Sequence, residues 1–143
     1  MPKIRRGPPT DESWRSYEAR FPNEKVAVAK SLCERLAAYG TINGVLWTPA
    51  LRPAYFGFYM TRPGQTKRHF VAGASLFKER DIAFCVKFSE RPVPHRLETC
   101  YPELDSWWNP VHKQWEWSIP DLGAVPNVGR AVDLSTVPRD LMS

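Results

Sequence analysis

Acidic residues are absent from the middle of the sequence, where none stands between Glu34 and Glu79. Basic residues occur throughout the same interval, at Arg35, Arg52, Arg62, Lys67, Arg68 and Lys78, together with His69. A metal-dependent nuclease needs clustered carboxylates, so their absence argues against that class of enzyme. The uncompensated basic stretch favours anions, although Lys and Arg at hairpin tips also serve solubility and block edge pairing.

Cysteine and long apolar runs are also scarce. The chain has 3 Cys, and their spacing does not match the paired spacing of a structural zinc site. We therefore predict reduced thiols, no metal and a cytoplasmic location. No apolar run approaches a membrane span, and the basic N-terminus has no apolar stretch behind it, so no membrane partner or secretory signal is expected.

Recognised catalytic motifs are missing as well. The sequence contains no GxSxG, Walker-type or GxGxxG motif and no HxH or HExxH pattern. Cys100 with His95 or His112 is the only nucleophile–base pairing that can be suggested. We predict no cofactor, and a non-enzymatic function is favoured over a small enzyme with an unrecognised site.

The chain has 143 residues, which suits one domain. Residues 1–9 are predicted to be a flexible basic segment, and residues 10–143 a single α+β domain. Thr10 can cap a short helix that ends before Pro22, and an apolar stripe predicts a second helix over Glu24–Tyr39. Gly40 is expected to terminate this second helix.

From Asn43 onward the apolar pattern has the period of strands. Strands are predicted over residues 43–48, 54–62, 68–77, 82–89 and 114–119, and the short links between them favour an antiparallel meander. In the Pro-rich connection that follows the fourth strand, a short helix is predicted near 103–107, and residues 128–134 are expected to form a terminal helix or an irregular tail. The expected fold is α+β: two N-terminal helices, then a curved antiparallel sheet of about five strands, with one long helix packed on one face.

Side-chain alternation divides this sheet into two faces. Bulky apolar residues, among them Phe56, Phe70 and Phe84, are predicted to face the core. The opposite side, called the second face below, has small residues at Gly57 and Gly73, which suggest a concave floor.

Ligand-binding residues are predicted on and beside the second face: Tyr55, Tyr59, Arg62, Lys67, Arg68 and His69. Aromatic rings can stack on bases and basic side chains attract phosphate, so nucleic acid or a nucleotide is the favoured partner. Alternatively, the loop from Pro92 to Pro110 could pack flat on this face and close it.

Four of the 6 Trp residues stand close together in the sequence. Trp115 and Trp117 share one strand face and are predicted to be buried. The adjacent Trp107 and Trp108 point in different directions in most backbone conformations, so one of them is expected to be exposed. It could mediate contact with a protein partner or a second copy, or form part of an aromatic cage for a methylated cation.

The leading hypothesis is therefore a non-enzymatic binding module whose basic, aromatic-lined sheet face takes an anionic ligand. A protein-interaction or assembly domain that uses the Trp-rich, Pro-rich loop is the first alternative, and a small enzyme is the second.

Overall fold

The computed structural model describes residues 9–142, so the prediction for the N-terminal segment lies outside the described residues except at Pro9. The helices are α1 (Asp11–Glu18), α2 (Asn23–Asn43), α3 (Pro94–Glu98), α4 (Val128–Leu134) and α5 (Val137–Met142), with a 3-10 turn at Leu122–Ala124. The strands are β1 (Thr48–Leu51), β2 (Tyr55–Thr61), β3 (Arg68–Ser75), β4 (Ile82–Lys87), β5 (Ser106–Asn109) and β6 (Gln114–Ile119). No helix within residues 9–142 is long and apolar enough to cross a bilayer.

The predicted α+β fold, with helices before an antiparallel sheet, is confirmed. The sheet has six strands in the order β1-β2-β3-β4-β6-β5, and every neighbouring pair is antiparallel. The first four strands form the expected meander, and β6 then pairs with β4 so that β5 lies at the outer edge. Helix α2 packs against β3, β4 and α4.

Helix α2 is longer than the sequence indicates. Gly40 does not end it, because the helix continues to Asn43 and terminates at Gly44, which adopts the left-handed conformation with φ 66°. Gly40 is buried inside the last turns, where a Cβ atom would lie 2.3 Å from Trp47 Nε1. Its lack of a side chain therefore accommodates an indole ring, and the glycine that supplies the C-terminal stop is the next one in the sequence.

Two of the predicted elements are wrong. The strand predicted over 43–48 is absent, and β1 begins instead at Thr48 and includes Pro49. An edge strand tolerates proline because the groups on one side of its backbone have no partner strand. Residues 103–107 do not form a helix, because Ser106–Asn109 belong to edge strand β5. The short helix in this connection is α3, which starts at Pro94. Helix α4 has the predicted bounds, and α5 was not predicted.

The core lies on the side of the sheet that faces the helices. Trp117 is fully buried there, with its ring centroid 5.5 Å from that of Phe84 and 5.4 Å from that of Tyr101. Trp117 Nε1 also donates to the Leu97 carbonyl at 3.3 Å, so α3 lies on the core side. These contacts of α3 and Tyr101 place that part of the 92–110 connection on the core side and do not support the prediction that the loop lies flat on the second face.

A β-bulge in β3 changes the direction of its first residues. Phe58 stands opposite Ala72, but Tyr59 stands opposite Phe70, so Val71 is the extra residue of the bulge. Phe70 consequently lies on the second face with Tyr59, and His69 shares the core side with Met60, its partner in the ladder. The predicted faces of Phe70 and His69 are therefore both wrong, since regular alternation was assumed through Val71.

Candidate functional site

Strands β3 and β4 separate at one end of the sheet. Their pairing runs from Ser75 opposite Ala83 to Ala72 opposite Val86 and stops there. Beyond that point β3 remains paired with β2, and β4 remains paired with β6 through Lys87. The space between them is a cleft of about 380 Å³, called the β3–β4 cleft below.

Both strands and helix α5 line this cleft. The lining residues from β3 are Arg68, His69 and Phe70, and those at the end of β4 are Lys87, Phe88 and Ser89. Val137, Asp140 and Leu141 of α5 contribute to the wall, and Arg62 and Lys113 complete it. The bulge at Val71 is therefore adjacent to the cleft and interrupts the ladder on the β3 side.

Helix α5 is held against the end of β4 by Ser135, two residues before the helix begins. Ser135 donates its hydroxyl to the Lys87 carbonyl at 2.6 Å, and its oxygen accepts from the Val137 backbone N–H at 3.2 Å. Val137 and Leu141 are buried. Asp140 accepts from Ser89 Oγ at 3.3 Å, and its carbonyl accepts from Arg62 Nη1 at 3.2 Å.

Positive charge predominates in the cleft. Its lining contains Arg62, Arg68, Lys87 and Lys113, with Asp140 as the single carboxylate. Burial lowers the pKa of Lys87, and the neighbouring positive charge of Lys113 lowers it further. Lys87 Nζ donates to the His112 carbonyl at 2.6 Å, which fixes its position in the wall. An anion beside Lys87 would stabilise its charged form.

Arg68 lines the cleft with part of its hydrogen-bonding capacity unused. Its guanidinium carbon lies 5.1 Å from the centroid of the Tyr59 ring, a distance that suits a cation–π contact. Its Nη1 atom is buried and has no hydrogen-bond partner among residues 9–142. An unsatisfied buried donor costs about 1–3 kcal/mol, and more when it is charged. An anionic oxygen that reached this atom would remove that cost.

The predicted ligand-binding residues fall into two groups. Arg62, Arg68 and His69 all line the β3–β4 cleft, and Tyr59 lies beneath Arg68. The other two lie elsewhere. Lys67 is exposed in the β2–β3 link and is not part of the cleft lining.

Tyr55 lies at the far end of β2, opposite Ser75, and 41% of its surface is exposed. Its side chain is close enough to Tyr59 to act on it. Burial first and the Tyr55 side chain next raise the pKa of Tyr59. Tyr55 and Tyr59 are therefore neighbours on the second face, as predicted, but only Tyr59 approaches the cleft.

Lys87, Lys113 and the α5 residues were missed by the sequence analysis. Side-chain alternation along the fourth predicted strand puts Lys87 on the second face, but nothing in the sequence connects it with Arg68. Their approach depends on the early end of the β3–β4 ladder, and Lys113 joins them only because β6 pairs with β4. The one available signal was that Lys87 stands near the end of the fourth predicted strand and Lys113 just before the fifth.

Small residues form the middle of the second face. Gly57 stands opposite Gly73, which stands opposite Cys85. A Cβ atom on Gly73 would lie 2.1 Å from the Phe56 carbonyl oxygen, and one on Gly57 would lie 2.6 Å from the Phe70 ring. The glycines therefore permit close approach of backbone and ring, which gives this face a low floor beside Phe70 and Tyr59.

The buried carboxylate of Glu116 lies on the second face, two strands away from Gly73. Glu116 is 7% exposed and stands opposite Cys85 on one side and Trp107 on the other. Its Oε1 accepts from Trp107 Nε1 at 3.0 Å, and its Oε2 accepts from Asn109 Nδ2 at 2.9 Å and from Gln114 Nε2 at 2.7 Å. These neutral donors hold the carboxylate and fix the orientation of the Trp107 ring.

Trp107 and Trp108 face opposite sides of the sheet, as expected for adjacent strand residues. Trp107 lies on the second face with 39% of its surface exposed, and Trp108 is half-buried against the core beside Trp115. The structure therefore leaves Trp107 as the more accessible member of the pair.

The thiols do not have the properties of nucleophiles. Burial raises the pKa of Cys33 to about 12, and it also raises the pKa values of Cys85 and Cys100. An activated cysteine needs the opposite shift. Tyr101 and Arg130, rather than a histidine, are the groups that partly offset the effect of burial on Cys100. Within residues 9–142 no three His, Cys, Asp or Glu side chains are grouped so that they could hold a metal ion.

No family model matches the chain, and no curated protein or solved structure shows significant similarity to it.

Proposed function

We propose that this chain is a binding module for a phosphate-bearing ligand, with nucleic acid or a nucleotide as the favoured class. The phosphate enters the β3–β4 cleft and contacts Arg68, Lys87 and Lys113. The buried, unpartnered Nη1 of Arg68 is the observation that carries this proposal. A guanidinium offers donors in a planar fork that matches two phosphate oxygens, and such charge-assisted bonds are stronger than neutral ones.

The charges around Arg68 support the same proposal. Burial first and the positive charge of Lys113 second lower the pKa of Lys87, so the two ammonium groups repel each other across the cleft wall. An anion between them reverses that repulsion and stabilises both charged forms. The carboxylate of Asp140 accepts hydrogen bonds from Ser89 and Thr136 and keeps its negative charge. The lining remains basic because it contains four Lys and Arg side chains against this one carboxylate.

Titration of the whole chain with thymidine monophosphate and a thymidine octamer, followed by calorimetry, tests the proposal. Arg68→Ala is expected to weaken binding about 10- to 150-fold, because a charged hydrogen bond contributes about 1.5–3 kcal/mol. Arg68→Lys keeps the charge but loses the fork, so it should recover only part of the affinity. For the octamer, the slope of log K against log salt should fall by about one phosphate contact in Arg68→Ala.

Lys78→Ala is the matched control. Lys78 is exposed in the β3–β4 connection, at the end of the strands away from the cleft, and its removal changes the net charge by the same amount. It should leave binding of both ligands nearly unchanged. Equal losses of affinity in Arg68→Ala and Lys78→Ala would show that overall charge alone accounts for the effect. Absence of binding even at low salt would reject the proposal.

A further inference from the structure

We infer that the ligand is single-stranded nucleic acid and that Trp107 is its second point of contact, where an unpaired base stacks on the exposed indole. This inference rests on the function proposed above, because it assumes that a phosphate of the same strand occupies the β3–β4 cleft. It adds a residue that lies outside the cleft and identifies the class of nucleic acid.

The first observation is that Trp107 is both exposed and held in place. Trp107 is 39% exposed, but its Nε1 donates to the carboxylate of Glu116, a residue that is only 7% exposed. Two further donors, Asn109 and Gln114, fix the other carboxylate oxygen. Because the ring is already oriented in the free protein, stacking a base on it costs little side-chain entropy. An exposed Trp without such support would lose more freedom on binding.

The second observation is that Trp107 lies on the same face of the sheet as Lys87, which forms part of the cleft wall. Lys87 stands opposite Gln114, which stands opposite Asn109, and Trp107 is two residues from Asn109 along β5. Two strand spacings and two residue rises separate Lys87 from Trp107, a distance of about 12 Å between their Cα atoms. This separation leaves room for different nucleotides of one strand to make the two contacts.

The third observation is the distribution of charge between the two positions. The cleft is basic, but the carboxylate of Glu116 lies directly beside the indole nitrogen of Trp107. A phosphate is repelled from that position, whereas a neutral base is not. Stacking on an aromatic face also requires a base whose own faces are free, which a duplex does not offer. The arrangement therefore favours a single strand over a duplex and places its base, not its phosphate, at Trp107.

Binding of thymidine monophosphate and of a fluorescein-labelled thymidine octamer to the whole chain tests this inference. Trp107→Ala should weaken octamer binding about 5- to 150-fold, as expected for loss of one stacked base, and should leave binding of the monophosphate unchanged. Trp107→Phe retains a ring without the N–H donor, so it should lose less than Trp107→Ala. Unchanged monophosphate binding also shows that each variant is folded.

Val111→Ala is the matched control, because Val111 lies in the β5–β6 turn and is 82% exposed. It should bind the octamer like the unmodified chain. The octamer should also bind more tightly than the same sequence annealed to its complement.

Two results would overturn the inference while leaving the proposed function intact. One is equal octamer affinity in Trp107→Ala and the unmodified chain, with Arg68→Ala still impaired. The other is sedimentation that shows self-association abolished by Trp107→Ala with octamer binding unaffected, which would assign Trp107 to a protein contact. If neither ligand binds the unmodified chain, the proposed function itself fails, and the inference fails with it.

Discussion

Tyr59 stands opposite Phe70 across β2 and β3, with 5.6 Å between their ring centroids, at a position where an unbroken ladder would place Val71. This one-residue offset turns Phe70 onto the second face. It also directs Arg68 over the Tyr59 ring. The bulge therefore determines which basic and aromatic side chains meet, and it lies next to the point where β3 leaves β4.

Deletion of Val71 should close the β3–β4 cleft. Without the extra residue, β3 can continue its regular pairing with β4 beyond Ala72, which fills the space between Arg68 and Lys87 with a backbone ladder. We expect phosphate binding to fall below detection. Hydrogen exchange should show new protection at the backbone amides of the shortened β3, whereas the Phe88 N–H already donates to the Lys113 carbonyl at 2.9 Å and should be unchanged.

Val71→Ala provides the control for this deletion. Val71 is fully buried, so removal of its methyl groups should lower the free energy of unfolding by about 1–3 kcal/mol. The bulge and the cleft should remain, and phosphate affinity should be retained at a temperature where the variant is folded. If the deletion variant binds phosphate as well as Val71→Ala does, the bulge is not what keeps the cleft open.

Gly40 and Gly44 should respond differently to substitution by Ala. At Gly40 a Cβ atom would meet the Trp47 ring, whose centroid lies 4.9 Å from that of Phe58, so Gly40→Ala should displace the indole and cost about 1–3 kcal/mol. At Gly44 there is space but φ is 66°, and the cost should be near 1 kcal/mol from backbone strain alone. Denaturant unfolding and near-UV circular dichroism measure both effects. Only Gly40→Ala should change the near-UV spectrum, and equal spectra in the two variants would contradict the packing described for Trp47.

The fold was predictable wherever one local pattern determined the element. The apolar stripe of α2 and the strand period of β2, β3 and β4 were sufficient for these elements, and the alternation of Trp115 and Trp117 correctly placed both in the core. Gly40 was misinterpreted because a helix-ending glycine and a glycine that contacts a ring look alike in a sequence. Only the position of Trp47 distinguishes them.

The candidate site was predictable only in part. Arg62, Arg68 and His69 were identified from the stretch without acidic residues, and they do line one cleft. Nothing in the segment His69-Phe70-Val71-Ala72 marks a bulge, so the faces of His69 and Phe70 were reversed. Lys87 and Lys113 approach each other through strand pairing across a long connection, which no local pattern encodes.

The buried thiol of Cys33 should make stability fall at alkaline pH. Burial raises its pKa from 9.0 to about 12, so between these values the folded chain keeps a proton that the unfolded chain releases. The stabilisation is complete below pH 9 and is lost as the pH rises through the folded pKa. The free energy of unfolding of the unmodified chain should therefore decline more steeply between pH 9 and 11 than that of Cys33→Ala. Parallel declines in the two chains would show that this thiol does not titrate as its burial implies.

Lys87 should report directly on the occupancy of the cleft. Burial first and the charge of Lys113 second lower its pKa below 10.5, so Lys113→Ala should raise that pKa without restoring it fully. Bound phosphate should raise it as well, because an anion favours the charged form. The unfolded chain binds more protons between the lowered pKa and 10.5, so stability rises with pH in that window, and Lys113→Ala should flatten the rise.

NMR titration of the lysine Cε and Nζ signals measures the shifts in the pKa of Lys87, with Lys67→Ala as a control that should leave that pKa unchanged. If Lys113→Ala and phosphate both leave the pKa of Lys87 where it was, the two lysines do not share the cleft and Lys87 is no part of an anion site.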